Sequence, residues 1–87
     1  DPNVPWDVIS QVRRSNRKTE IVKQLENDPR SASELSREMD IQRGTISNYI
    51  RDLRYMEPAL VECLTPDQPH HRLYGLTEDG ANIVKYL

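Results

Sequence analysis

The chain has 87 residues, of which 36% are apolar and none is phenylalanine, and its formal net charge is −2. This length suits one small domain with a modest aliphatic core, so we expect residues 1–87 to form a single domain. The single cysteine, Cys63, excludes an internal disulfide and favours a reducing, cytoplasmic setting. The sequence shows no signal-peptide pattern. It also has no apolar run of about 18 residues, the length that a membrane span needs.

Two helices are predicted in the first third of the chain, after a lead-in at residues 1–4. Pro5 suits the first position of a helix that runs to about Arg14. A second helix is expected from about Arg17 to Asn27, and the proline at position 29 ends it because the residue before a proline avoids helical geometry. The inward-facing residues predicted for the two helices are Trp6, Val8, Ile9, Val12, Ile21, Val22 and Leu25.

A basic cluster of Arg13, Arg14, Arg17 and Lys18 lies across the junction of these helices. Cations near a helix C-terminus are favourable in themselves, so the cluster can simply be solvated. The functional alternative is that these side chains contact phosphates on the flank of a binding surface.

The stretch from Ser31 to Met56 predicts two helices joined by a tight turn. Ser31 and Glu34 have the spacing of a capping box, which begins the first helix. Asp40 tolerates the left-handed conformation that a sharp helix exit needs, and Ile41 is the apolar residue of the turn.

The second helix of this pair is predicted from Gln42 or Arg43 to about Met56. Its apolar stripe consists of Ile46, Ile50 and Leu53. The opposite face is polar, basic or small: Gly44, Ser47, Asn48, Arg51 and Tyr55. Such a face suits a helix laid in a DNA major groove, although many surface helices also have one polar face.

A β-hairpin and a last helix complete the chain. Residues 60–65 and 72–77 read as strands, and the turn-forming run Pro66-Asp67-Gln68-Pro69-His70-His71 separates them. Thr77 caps a helix at about residues 78–87, whose apolar side carries Ala81, Ile83, Val84 and Leu87.

Three helices, a hairpin and a further helix, in this order, resemble the winged helix-turn-helix fold. The fold class is thus mainly α with a small β-hairpin: a three-helix core, a two-stranded wing at about residues 60–77 and a C-terminal helix. The runs LVECLT and RLYGLTEDG look like the wing of small archaeal transcriptional regulators related to the MarR and ArsR groups. The most specific part of this resemblance is the LTxxG junction, Leu76 to Gly80.

The resemblance implies roles for particular residues. The helix at about residues 43–56 would be the recognition helix, with Ser47, Asn48 and Arg51 in the major groove, Arg43 and Thr45 near phosphates, and Gly44 allowing close approach. In the wing, Arg72 would reach the minor groove or its backbone, with His70 and His71 beside it. Such regulators usually act as homodimers on pseudo-palindromic DNA.

Two departures from the family pattern bear on affinity. The wing tip carries Gln68-Pro69-His70-His71 where relatives tend to carry Lys and Gly, and the recognition helix has Asp52 beside Arg51 and Asn48 where a basic residue or Ser is usual. These departures weaken the expected phosphate attraction without abolishing it.

Other chemistries are less favoured. No Gly-rich phosphate loop or converging nucleophile and acid predicts an enzyme, and no cofactor is expected. Cys63, His70 and His71 could in principle hold zinc or copper, but their spacing matches no metal motif, so no metal site is predicted. The main alternative to DNA binding is a winged-helix module for protein interaction or dimerisation; a third possibility is a domain of a longer regulator.

Overall fold

Five α-helices, three strands and a final 3₁₀ turn follow one another in the part of the chain that this computed structural model describes, residues 5–70 and 72–87. They are α1 (Trp6–Arg13), α2 (Asn16–Asn27), β1 (Arg30–Ser31), α3 (Ala32–Met39), α4 (Arg43–Arg54), β2 (Val61–Cys63), β3 (Leu73–Leu76), α5 (Glu78–Ile83) and the 3₁₀ turn Val84–Tyr86. The predicted lead-in at residues 1–4 and the wing residue His71 lie outside the described residues. None of the described helices is long and apolar enough to cross a membrane.

The strands form one antiparallel sheet in the order β1-β3-β2. The predicted hairpin is β2 with β3, in which Glu62 pairs with Gly75 and Cys63 with Tyr74. The sequence interpretation missed β1, which pairs Ser31 with Leu73 on the other side of β3. The wing is therefore part of a three-stranded sheet rather than a free two-stranded hairpin.

Hydrogen bonds accepted by short polar side chains begin three of the helices. Ser15 accepts a bond from the Lys18 amide at 3.2 Å at the start of α2. The predicted capping box is confirmed at α3: the Ser31 hydroxyl accepts from the Glu34 amide at 3.2 Å, and the Glu34 carboxylate accepts from the Ser31 amide at 3.1 Å. Thr77 caps α5, as predicted, by accepting from the Gly80 amide.

The turn between α3 and α4 follows the predicted chemistry. Asp40 has a φ of 55° and is left-handed, which is the conformation that lets the chain leave a helix abruptly. The Ile41 amide donates to the Ser36 carbonyl at 3.1 Å, and the Ser36 hydroxyl donates back to the Ile41 carbonyl. Ile41 packs against the core, so the turn holds α4 at a fixed angle to α3.

Helices α1 to α5 and the sheet enclose one aliphatic core. Every helix contributes to it, and so do the two residues at the start of the hairpin. The buried hydrophobic residues are Val8, Ile9, Val12, Ile21, Val22, Leu25, Leu35, Ile46, Ile50, Leu53, Leu60, Val61, Ile83 and Val84.

Four local expectations differ from the structure. Trp6 is 54% exposed instead of buried, and its ring meets Tyr86 edge-on at 5.1 Å between centroids. Helix α4 ends at Arg54, before Met56. The terminal helix changes to a 3₁₀ turn at Val84, and Ala81 on its expected apolar side is exposed.

The junction between the wing and α5 packs backbone against backbone. The Thr77 hydroxyl donates to the Ala59 carbonyl at 2.6 Å, and the Thr77 amide donates to the Leu60 carbonyl at 3.0 Å. Gly80 is buried beside this carbonyl, and a methyl group on Gly80 would overlap its oxygen. Thr77 and Gly80 of the LTxxG sequence are therefore required by this junction.

We predict that Gly80→Ala lowers the free energy of unfolding by about 2–3 kcal/mol, because backbone atoms must move to admit the methyl group. Urea denaturation followed by circular dichroism measures this change.

Gly44→Ala is the matched control. Gly44 is also helical, but a Cβ there has no atom within 4 Å. Because alanine is the better helix former, this variant should be unchanged or more stable by about 0.5 kcal/mol. Equal losses in the two variants would contradict the packing explanation.

Candidate nucleic-acid interface

Helix α4 presents the polar face that the sequence predicts. Ile46, Ile50 and Leu53 are buried, whereas the side of the helix that faces solvent carries a different set. That exposed set is Arg43, Gly44, Ser47, Asn48 and Arg51; Thr45 is half-buried. The apolar stripe thus fixes the rotation of α4, and the rotation turns the candidate DNA-contacting residues outward.

A concave surface, here called the wing groove, lies between the beginning of α3, the beginning of α4 and the hairpin loop. Arg43 and Ser47 of α4 line it from one side, and His70 and Arg72 of the wing line it from the other. Ser33 in the first turn of α3 also lines it. Four predicted site residues from two separate segments are therefore brought together.

Hydrogen bonds within the loop fix the position of Arg72. Its Nε donates to the Gln68 carbonyl at 2.7 Å, and the Gln68 amide donates to the Thr65 carbonyl at 3.1 Å. The Leu73 amide donates to the Thr65 hydroxyl at 2.9 Å, which closes the loop at its base. These bonds hold the guanidinium of Arg72 against the Gln68 carbonyl of the wing loop, where it lines the wing groove.

Arg43 is oriented by a hydrogen bond from the opposite side. Its Nη1 donates to the Ser33 hydroxyl at 3.3 Å. Both Arg43 and Arg72 are exposed, and both bonds go to neutral oxygen atoms. Their positive charges are thus oriented without being cancelled by these partners.

A second concave surface, here called the helix groove, lies between α4 and the first two helices. Arg51 and Asp52 of α4 line it together with Lys18 of α2 and Tyr55, which is 73% exposed. Lys18 Nζ lies 3.4 Å from the Asp52 carboxylate. Asp52, which the sequence interpretation set against phosphate binding, is therefore paired with Lys18.

The other three basic residues of the predicted cluster lie outside both grooves. Arg13, Arg14 and Arg17 are exposed and line neither the wing groove nor the helix groove. Only Lys18 of this cluster reaches the neighbourhood of Arg51. A phosphate contact by the three arginines stays a prediction.

Sequence reasoning missed Ser33, Tyr74 and Arg54. Ser33 and Tyr74 line the wing groove, and the guanidinium carbon of Arg54 lies 5.8 Å from the ring centroids of both Tyr55 and Tyr74. Arg54 thus joins the end of α4 to β3. The capping box at Ser31 could have indicated Ser33, because it places Ser33 in the first turn of α3.

One titratable group in this region has a shifted pKa. The Ser31 amide donates a hydrogen bond to the Glu34 carboxylate, and this bond lowers the pKa of Glu34 from its ordinary value of 4.5. Arg30 and Arg37 act in the same direction.

Metal ligands are not clustered in the described residues: across residues 5–70 and 72–87, no group of three or more His, Cys, Asp or Glu could hold a metal ion. Cys63 lies in β2, and His70 lies at the loop. The absence of a metal site stays a prediction, as does any role for His71.

The helix-turn-helix segment matches a known family. Residues 15–57, just under half of the chain, match the family described as "Bacterial regulatory protein, arsR family". No curated protein sequence matches the chain.

Solved structures of Lactococcus lactis ZitR have a similar fold. Two mutants of ZitR superpose with TM-scores of 0.70 and 0.71 at 15% identity, over 83% of this chain and 49% of theirs. An apo form of one mutant gives a TM-score of 0.71 at 15% identity, over 93% of this chain and 62% of its own. The chain therefore spans about half the length of the first two structures.

These findings support the ArsR side of the predicted resemblance and the winged helix-turn-helix fold. The matching family consists of regulatory proteins rather than enzymes. The archaeal origin stays a prediction.

We predict that acid weakens the contribution of the capping box at α3. Because the pKa of Glu34 is lowered in the folded protein, the stabilisation by its carboxylate is complete above pH 4.5 and is lost as the pH falls through the lowered pKa. Glu34→Gln keeps an acceptor for the Ser31 amide but does not titrate. Wild type should exceed Glu34→Gln in unfolding free energy at pH 7, and the difference should shrink at pH 3; urea denaturation at both values measures it. An equal difference at both pH values would contradict the assignment.

Proposed function

We propose that this protein binds double-stranded DNA as a transcriptional regulator. Helix α4 enters the major groove with Ser47, Asn48 and Arg51 toward the bases, and the wing contacts the adjacent groove or backbone. The observation that carries this proposal is the wing groove, where Arg43 and Ser47 of α4 face His70 and Arg72 of the wing. A helix and a wing that share one cationic concave surface can contact DNA together.

The pairing of charges supports DNA over a protein partner. Asp52 of α4 and Glu38 of α3 are acidic residues that would interrupt a basic face if they were unpaired. Asp52 pairs with Lys18 at 3.4 Å, and Glu38 pairs with Arg30 at 2.7 Å. Each carboxylate is thus matched by a nearby cation, and the arginines of the wing groove keep their charge for phosphate.

A homodimer in the cytoplasm is the state we propose for the functional protein. In a two-fold dimer, two copies of α4 can reach successive major grooves about one turn of DNA apart, so that a pseudo-palindromic site is read by both. The wing sequence favours a regulator of archaeal type. The chain can also serve as the DNA-binding part of a longer protein.

Salt should weaken the binding of DNA steeply, because Lys and Arg release counterions when they neutralise phosphates. Fluorescence anisotropy of labelled random and genomic duplexes at low and moderate salt measures this effect. If a protein shown to be folded does not bind DNA at low salt, the proposal fails and a protein-docking module becomes the better explanation.

Arg51 and Arg72 should differ in what they contribute. Arg51→Ala should cost about 1–3 kcal/mol on a specific site and relax the preference at one base pair, because Arg forks onto guanine. Arg72→Ala should weaken binding to all sequences to a similar extent. The measurement is affinity for a selected site and for its single-base variants; equal losses on specific and random DNA for both proteins would contradict these roles.

A further inference from the structure

Two cations of the wing groove, Arg43 and Arg72, are oriented by hydrogen bonds to neutral oxygen atoms. In the described residues, the two ion pairs use Lys18 with Asp52 and Arg30 with Glu38. Arg43 and Arg72 instead donate to a hydroxyl and to a backbone carbonyl. None of the described residues that line the groove is acidic. The groove therefore concentrates two oriented positive charges on one concave surface.

We propose that Arg43 and Arg72 bind one and the same backbone phosphate of DNA in the wing groove, with the hydroxyl of Ser33 beside it. This inference rests on the proposed function. A phosphodiester has one negative charge and two non-bridging oxygens that accept hydrogen bonds, so one guanidinium can approach from each side. The chemistry recognised is that of a phosphate ester, and the sugar-phosphate backbone is its source.

The positions of the two arginines favour a shared phosphate over separate ones. Arg43 is the first residue of α4, and its Nη1 is held by Ser33 at the beginning of α3. Arg72 directly precedes β3, and its Nε is held by Gln68. Because both side chains line the same groove, we expect a phosphate that enters it to contact both.

The bond from Arg72 to Gln68 also decides between two roles of Arg72 that the sequence leaves open, contact with the minor groove and contact with the DNA backbone. A side chain that reads the minor groove must extend away from the protein. Arg72 is instead held against the Gln68 carbonyl of the wing loop by the 2.7 Å bond, and it lines the groove that α4 also lines. It therefore acts on the backbone and links the wing to the helix-turn-helix through the phosphate they share.

Salt dependence tests the number of phosphates involved. The logarithm of affinity falls against the logarithm of salt concentration with a slope of roughly 0.9 per neutralised phosphate. We expect Arg43→Gln/Arg72→Gln to reduce the slope on a random duplex by about 0.9, the contribution of one phosphate. A reduction of about 1.8 would mean two separate phosphates and would overturn the inference.

A double-mutant cycle supplies the second measurement. If the two arginines share a phosphate, the fold-loss of affinity in the double variant is smaller than the product of the losses in Arg43→Gln and Arg72→Gln. The matched control is Arg43→Gln with Arg51→Gln, since Arg51 is also exposed on α4 but lines the helix groove. Losses in this control pair should multiply. Multiplying losses in both pairs would overturn the inference.

The outcomes also separate this inference from the proposed function. Absence of DNA binding by the folded wild type defeats both. Salt-dependent binding with a slope that the Arg43/Arg72 double variant leaves unchanged defeats only the shared phosphate. Thermal unfolding of each variant checks the fold, which is expected to persist because Arg43 and Arg72 are exposed.

Inorganic phosphate tests the other source of the same chemistry. Amide shifts of Ser33 and Ser47 are followed by NMR during titration with sodium phosphate, against sodium chloride at matched ionic strength. We expect weak, unsaturated shifts, because an isolated ion lacks the other contacts of the duplex. Saturation at micromolar phosphate would assign the groove to a free phosphate ligand and overturn the assignment to DNA.

Discussion

The pairing of Ser31 with Leu73 fixes the wing relative to the helix-turn-helix. Ser31 is 5% exposed and does two things at once: it is the last residue of β1 and the N-cap of α3. Any movement of the wing strand must therefore disturb the start of α3 as well. The geometry of the wing groove depends on this link, because the groove is bounded by α3 and α4 on one side and by the wing on the other.

The elements that the sequence predicts well are those whose boundaries are determined locally. A capping box, a left-handed Asp40 and a capping Thr77 each satisfy backbone groups within three or four residues, so the pattern is visible in one stretch. Strand β1 has two residues, which is too short to show alternation, and its partner Leu73 is distant in the chain. The prediction that Trp6 is buried is wrong because helical spacing shows which residues share a face but not how far the rest of the protein covers that face. Trp6 lies at the margin of the covered area, beside Tyr86.

The candidate site divides in the same way. The outward face of α4 follows from the spacing of its buried residues, so Ser47, Asn48 and Arg51 are found from the sequence. The placement of Arg43 and Arg72 in one groove cannot be found from the sequence, because it depends on how the sheet positions the wing. The pairing of Asp52 with Lys18 also cannot be predicted from the sequence. In the sequence Asp52 is adjacent to Arg51, whereas in the fold its ion-pair partner is Lys18 of α2.

This pairing explains how a chain with a net charge of −2 can still offer a cationic surface. A phosphate responds to the charges within about one Debye length, roughly 8–10 Å at moderate salt, more than to the sum over the protein. Carboxylates that are matched by their own cations contribute little beyond that distance, and those on the far surfaces are screened. The described residues that line the wing groove include no acidic residue, and its two arginines are held by neutral oxygens. Orientation by neutral acceptors is thus the means by which this fold keeps its charge available.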